Sequence, residues 1–306
     1  MGLVKKEEAP LKSSDEAPDE PEDTPVVKTL KEIDDRYLAI EREYEKEVMA
    51  LQLEYARKQQ PFLEERRDLL AAGGPAPGTG TPALTGFWLQ ALKNHPAFQA
   101  KFEEWDEPVL EYLTDIGKDY LDESNTEKGF RLTFHFAENP YFTNATLEKE
   151  YATEEANPYN GEIECKAIKS SQIDWKAGKN ITVARAPKAA KAGRGGRKQA
   201  AKKALEEEPR PSFFHEFFRD LAPGCVQEEF KIADDSDDDE DMMTQYLMNG
   251  DFETGTALRD HIIPFAVRWY TGEAVPEGFE GGPEDDDSED DDDDDDDDLE
   301  DDDDDD

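Results

Sequence analysis

Cysteine, histidine and long apolar runs are all scarce in this chain, and each shortage removes a class of function. Only Cys165 and Cys225 occur in 306 residues, so no disulfide framework is available and a reducing compartment fits best. His95, His135, His215 and His261 lack metal-ligand spacing and there is no Cys-x-x-Cys, so no metal or cofactor is expected. No apolar run approaches the ~20 residues that a membrane span requires. The opening MGLVKKEEAP has no signal-peptide core, which makes the cytoplasm and nucleus the expected locations. GGPAPGTG lacks the Gly-Lys-Ser/Thr of a phosphate loop, and no carboxylate pair stands out for acid–base work, so an enzyme is not expected. Positive charge is also short: 35 Lys and Arg face 78 Asp and Glu, a formal net charge of −43. That balance excludes sequence reading of nucleic acid and disfavours anionic membranes.

Acid is what the chain has in abundance. The segment Glu284–Asp306 is acidic except at Ser288 and Leu299. It has no apolar surface to offset chain entropy, and its like charges repel, so an extended, solvated tail is expected from about residue 277 onward. Without that segment the chain keeps 57 acids against 35 bases, enough for solubility, so the tail suggests a basic partner. A calcium-holding role would need oxygens fixed in a loop, which an Asp run does not offer. The candidate binding residues in the tail are Asp285, Asp286, Asp287, Asp291, Asp295, Glu300 and Asp306. A second acidic block, Asp234, Asp235, Asp237, Asp238, Asp239, Glu240 and Asp241, reads as a loop or helix lead-in and is a further candidate. Asp106-Glu107 and Glu206–Glu208 are weaker ones. Ser236 and Ser288 precede acidic runs that suit acidophilic kinases.

Residues 1 to 25 mix Pro, Glu, Asp, Ser and Lys and read as disordered. From Val26 a helical pattern begins, with Leu30, Ile33, Tyr37, Ile40, Tyr44, Val48, Leu51 and Tyr55 at steps of three and four, a heptad seam with one stutter. Pro61 removes one helix N–H and marks an expected kink. The segment Gly73–Gly80 ends the helix near residue 72. The seam needs a cover, either the chain's own body or the same helix of a second copy, the latter preferred. Residues 73 to 276 read as one α+β subdomain. Phe87–Leu121 reads as mixed helix and turn. Phe130, Leu132, Phe134 and Phe136 alternate with Arg131, Thr133 and His135, the signature of a half-buried strand. Further strands are expected around Leu147–Tyr151, Glu162–Ile168 and Asn180–Ala184, giving an antiparallel sheet with one face covered. Phe213, Phe214, Phe217 and Phe218 open an aromatic helix, and a last helix is expected over about Phe252–Tyr270.

Residues 185 to 203 break the acidic pattern with Arg185, Lys188, Lys191, Arg194, Arg197, Lys198, Lys202 and Lys203. This basic insertion is open to three readings: a solvated loop, a nuclear import signal, or an arm that folds back on an acidic surface.

Several stretches, taken in order, are similar to the nucleosome assembly protein family of histone chaperones. They are Gln60-Pro61-Phe62-Leu63-Glu64-Glu65-Arg66-Arg67, Gly86–His95 (GFWLQALKNH), Gly129–Phe142 (GFRLTFHFAENPYF), Ile173–Asn180 (IDWKAGKN), Ser212-Phe213-Phe214, Ile262-Ile263-Pro264 and Tyr270–Ala274 (YTGEA). The resemblance covers roughly residues 26 to 275. It implies a homodimer joined by the long helices, with an "earmuff" α+β subdomain on each side. It implies binding of core histones, of linker histones in some members, and ATP-independent nucleosome assembly. It also implies shuttling between nucleus and cytoplasm with transport receptors, the import signal mapping onto the basic insertion. A chaperone or import factor for other basic proteins, such as ribosomal proteins, is the alternative.

Overall fold

The alternation of Phe with Arg, Thr and His does form a strand, and the rest of the sheet is built around it. A computed structural model describes residues 23–187, 205–223 and 237–276. Four antiparallel strands lie in the order β1 (Leu113–Tyr120), β2 (Gly129–Phe136), β3 (Thr146–Asn157) and β4 (Glu162–Ser170). Period-2 patterning sends Phe130, Leu132, Phe134 and Phe136 of β2 inward, next to Leu147 and Tyr151 of β3. This is the covered antiparallel sheet of an α+β fold.

Strand β1 corrects the expectation of mixed helix and turn up to Leu121. Leu113 and Ile116 are buried at a spacing that resembles a helix, because the register shifts between Leu113 and Asp115. A bulge of that kind inserts one residue and breaks the alternation that sequence reading looks for. The preceding part is helical as expected, with α2 (Phe87–Lys93), a 3-10 turn at Pro96–Phe98 and α3 (Glu107–Leu110). A short ribbon pairs β5 (Val183–Pro187) with β6 (Leu205–Pro209), and α4 (Phe213–Phe217) follows.

The chain divides into two units, residues 1–55 and 56–306. Helix α1 (Pro25–Leu70) accounts for the described part of the first unit and runs on through Pro61 without interruption. Gly73 and Gly74 then adopt positive φ, 100° and 77°, which stops the helix where other residues would be strained.

Helix α5 (Asp237–Ala257) begins well before the expected Phe252. Acids in a first turn are favoured by the helix dipole, so the charge run is part of the helix and had masked its start. A single π-turn, Leu258–Ile262, leads into α6 (Ile263–Tyr270). Pro264 has no N–H, and the Ile263 N–H reaches back to the Leu258 carbonyl; such π-turns insert one residue into a helix.

Helix α5 is fixed to the sheet by a buried charge. Lys149 stands on β3 in the same inward row as Leu147 and Tyr151 and is fully buried. Its Nζ lies 2.8 Å from Asp251 Oδ2 of α5 and also donates to the Phe217 carbonyl of α4. Tyr151 Oη donates to the other oxygen, Asp251 Oδ1, at 2.8 Å. The Phe217 ring sits 4.3 Å from Lys149 Nζ. Four residues after Asp251, Gly255 lets the helix backbone rest on the Tyr151 ring; a Cβ there would collide with it.

Removing one partner of a buried ion pair leaves a charge uncompensated, at about 3–5 kcal/mol, whereas replacing both by apolar groups is often neutral or better. Asp251→Ala should therefore lose about 3–5 kcal/mol in urea denaturation, while Lys149→Met/Asp251→Leu should recover most of that. Equal losses in the single and double variants would contradict the clamp.

Candidate functional site

The eight seam residues all lie on α1, in the first unit. Leu30, Ile33, Tyr37, Ile40, Tyr44, Leu51 and Tyr55 are exposed and Val48 is half-buried. Helical spacing brings them to one face, as the heptad steps require. Tyr37 is 68% exposed, an unusual position for a large apolar side chain in a row of others.

The second unit carries the acidic helix. Asp237, Asp238, Asp239 and Glu240 fall in the first turn of α5, and Asp241 follows, exposed. Asp234, Asp235 and Ser236 lie outside the described residues. So do Ser288 and the tail candidates Asp285, Asp286, Asp287, Asp291, Asp295, Glu300 and Asp306, and the basic residues Lys188, Lys191, Arg194, Arg197, Lys198, Lys202 and Lys203. What is described of the basic insertion is its base, where Arg185 of β5 pairs in register with Glu207 of β6.

Asp106 does not belong to a binding surface. Asp106 is fully buried. Its Oδ1 accepts from Ser212 Oγ at 2.6 Å, and its Oδ2 from the Phe213 N–H at 2.8 Å and the Glu103 N–H at 3.0 Å. Ser212 in turn accepts from the Phe214 N–H at 3.2 Å and caps α4. The carboxylate thus satisfies orphan donors at a helix start, as N-terminal acids do. Glu107 pairs with Lys93 at 3.0 Å.

Two features had no signal in the sequence. The first is the outward face of α5, where Met242, Met243 and Tyr246 stand exposed directly after the acids. The second is His95, buried beside the Trp269 ring with centroids 4.4 Å apart. Its Nδ1 accepts from the Ala97 N–H at 3.1 Å and caps the 3-10 turn. Burial, with a smaller contribution from the His261 imidazole, pushes its pKa down to about 4. Among the described residues no group of three or more His, Cys, Asp and Glu is arranged to hold a metal. No described helix is long and apolar enough to cross a membrane.

A long helix with an open apolar seam, an antiparallel sheet clamped to an acidic helix and a two-stranded ribbon define an α+β class of acidic binding protein. The chain belongs to the nucleosome assembly protein family, whose model, "Nucleosome assembly protein (NAP)", matches residues 25–273. It is 34% identical over 270 residues to Nucleosome assembly protein 1;1 of Oryza sativa subsp. japonica, covering 81% of this chain and 65% of that protein. It is 35% identical over 271 residues to Nucleosome assembly protein 1;3 of Arabidopsis thaliana, covering 83% of this chain and 67% of that one. The chain thus spans about two thirds of the length of these relatives. Among solved structures, Nucleosome Assembly Protein 1 from Plasmodium knowlesi superposes with a TM-score of 0.59 at 30% identity, over 80% of this chain and 94% of that one.

The His95 environment sets a pH dependence. The unfolded chain takes up a proton near pH 6.5 and the folded one only near pH 4, so between these values the unfolded state binds more protons and stability falls as pH falls. The loss attributable to His95 is of the order of 3 kcal/mol. His95→Asn keeps a capping acceptor and should flatten stability between pH 6.5 and 4 in denaturant titrations; an unchanged pH slope would contradict this account.

Proposed function

We propose that this chain is a histone chaperone, acting as a homodimer that holds core histones, and linker histones with them, through its acidic surfaces. The observation that carries this reading is the run of acids that opens α5, a clamped helix, in a chain of net charge −43. Membership of the nucleosome assembly protein family supports histones over other basic cargo.

The mechanism is competition. DNA binds basic proteins through a phosphate term that acts at every position, so histones and DNA mixed freely form non-native complexes. An acidic chaperone occupies the same basic surfaces and blocks contacts out of register. It yields when the nucleosomal path offers more total contact, so assembly proceeds without ATP and without a catalytic step. The acidic segment from residue 284 is tethered to the held surface, and tethering raises local acid concentration without new specific contacts. Phosphorylation of Ser236 or Ser288 would deepen a field already present. The basic residues 188 to 203 serve as an import signal read by transport receptors, so the protein shuttles between cytoplasm and nucleus.

The open seam supports the dimer. Eight large side chains could contribute roughly 1.5–3 kcal/mol each on burial, as an upper bound, and a second copy supplies an identical seam. Light scattering of the purified chain should give the mass of a dimer, rising when core-histone complexes are added at physiological salt. Changing Tyr37, Ile40 and Tyr44 to Asp should halve the mass of the free protein. An unchanged mass would refute the seam. Uptake of purified ribosomal proteins in preference to histones would refute the cargo.

A further inference from the structure

Helix α5 has two faces, and the fold uses only one. Thr244, Met248, Asp251 and Thr254 are buried. On the opposite side, at alternating steps of four and three, run Met242, Tyr246, Asn249 and Glu253. Met242 is 66% exposed and Tyr246 75%. Met243 adjoins them and is also exposed, as are Asn249 and Glu253.

These apolar side chains cannot turn inward, because Asp251 is bonded to Lys149 and Tyr151, and Gly255 is seated on the Tyr151 ring. Rotating α5 would break the buried ion pair. Nor does a purely electrostatic surface need them: acids would serve better at 242 and 246. The stripe is instead an apolar strip flanked by exposed carboxylates, Asp241 just before Met242 in the chain and Glu253 after it. Five consecutive acids, Asp237 to Asp241, precede it in the chain. Its complement is an apolar strip edged with lysine and arginine on a folded protein. Methionine adapts its shape to such a strip, and tyrosine is a frequent anchor at interface centres.

We propose that Met242 and Tyr246 anchor the apolar strip of a folded basic partner, so that α5 distinguishes a folded histone complex from an unstructured cationic chain. This rests on the reading of the protein as a histone chaperone. The acids steer and orient the partner; the two apolar side chains slow its release.

The test uses the full chain with Met242→Ser/Tyr246→Ser and, as its conservative counterpart, Met242→Leu/Tyr246→Phe. Binding of a purified core-histone complex and of polylysine is titrated at several salt concentrations. The Ser variant should bind the histone complex about tenfold more weakly, with an unchanged slope of log affinity against log salt, and should bind polylysine as the wild type does. The Leu/Phe variant should match the wild type throughout. Wild-type affinity in the Ser variant would overturn this proposal and leave the chaperone reading intact, and so would an equal loss toward polylysine. Failure of the wild-type protein itself to bind the histone complex would overturn both.

Discussion

One buried ammonium group organises the second unit. Lys149 sits where the sheet, α4 and α5 meet, with Asp251 on one side and the Phe217 carbonyl and ring on the other. A charge taken out of water at such cost demands a fixed partner, and the partner it has is on α5. Desolvation lowers the Lys149 pKa, and the Asp251 carboxylate opposes that shift. The rotational setting of α5 follows from this pair: once Asp251 points at the sheet, Met242, Tyr246 and Glu253 must point away from it.

The same logic of compensation separates structural carboxylates from available ones. Asp106 is surrounded by N–H and O–H donors at the start of α4 and has no surface to offer. Asp241 is exposed at the start of α5, with four acids ahead of it in the helix. Where Asp106 completes the fold, Asp241 remains in water. In the first unit the surplus is apolar, and the seam of α1 is exposed except at half-buried Val48. Acidic and apolar surplus are thus carried by different stretches of one chain.

Much of this was legible in the residues. The steps of three and four from Leu30 to Tyr55 gave α1, and the Phe130–Phe136 alternation gave β2, because each element shows one clean period. Strand β1 was hidden by the register shift between Leu113 and Asp115, and the start of α5 by a charge run that reads equally as a loop or as a helix lead-in. Lys149 illustrates the limit of pattern reading. A strand was expected around Leu147–Tyr151, but only the fold puts Lys149 in its inward row and supplies Asp251 from a hundred residues away. Asp106 could not be told from a surface acid without seeing Ser212 and Phe213 brought to it. The exposure of Met242 and Tyr246 had no sequence signal for the same reason: burial on a helix depends on which side the rest of the chain takes.

The central claim is that this polyanion withdraws histones from non-native contact with DNA without an energy source. Adding purified full-length protein to preformed, turbid histone–DNA aggregates at physiological salt, with no nucleotide present, tests it most directly. The account predicts that turbidity falls as protein approaches the molar amount of histone and that histone appears in the soluble fraction bound to the protein. Turbidity that stays constant at saturating protein would contradict it.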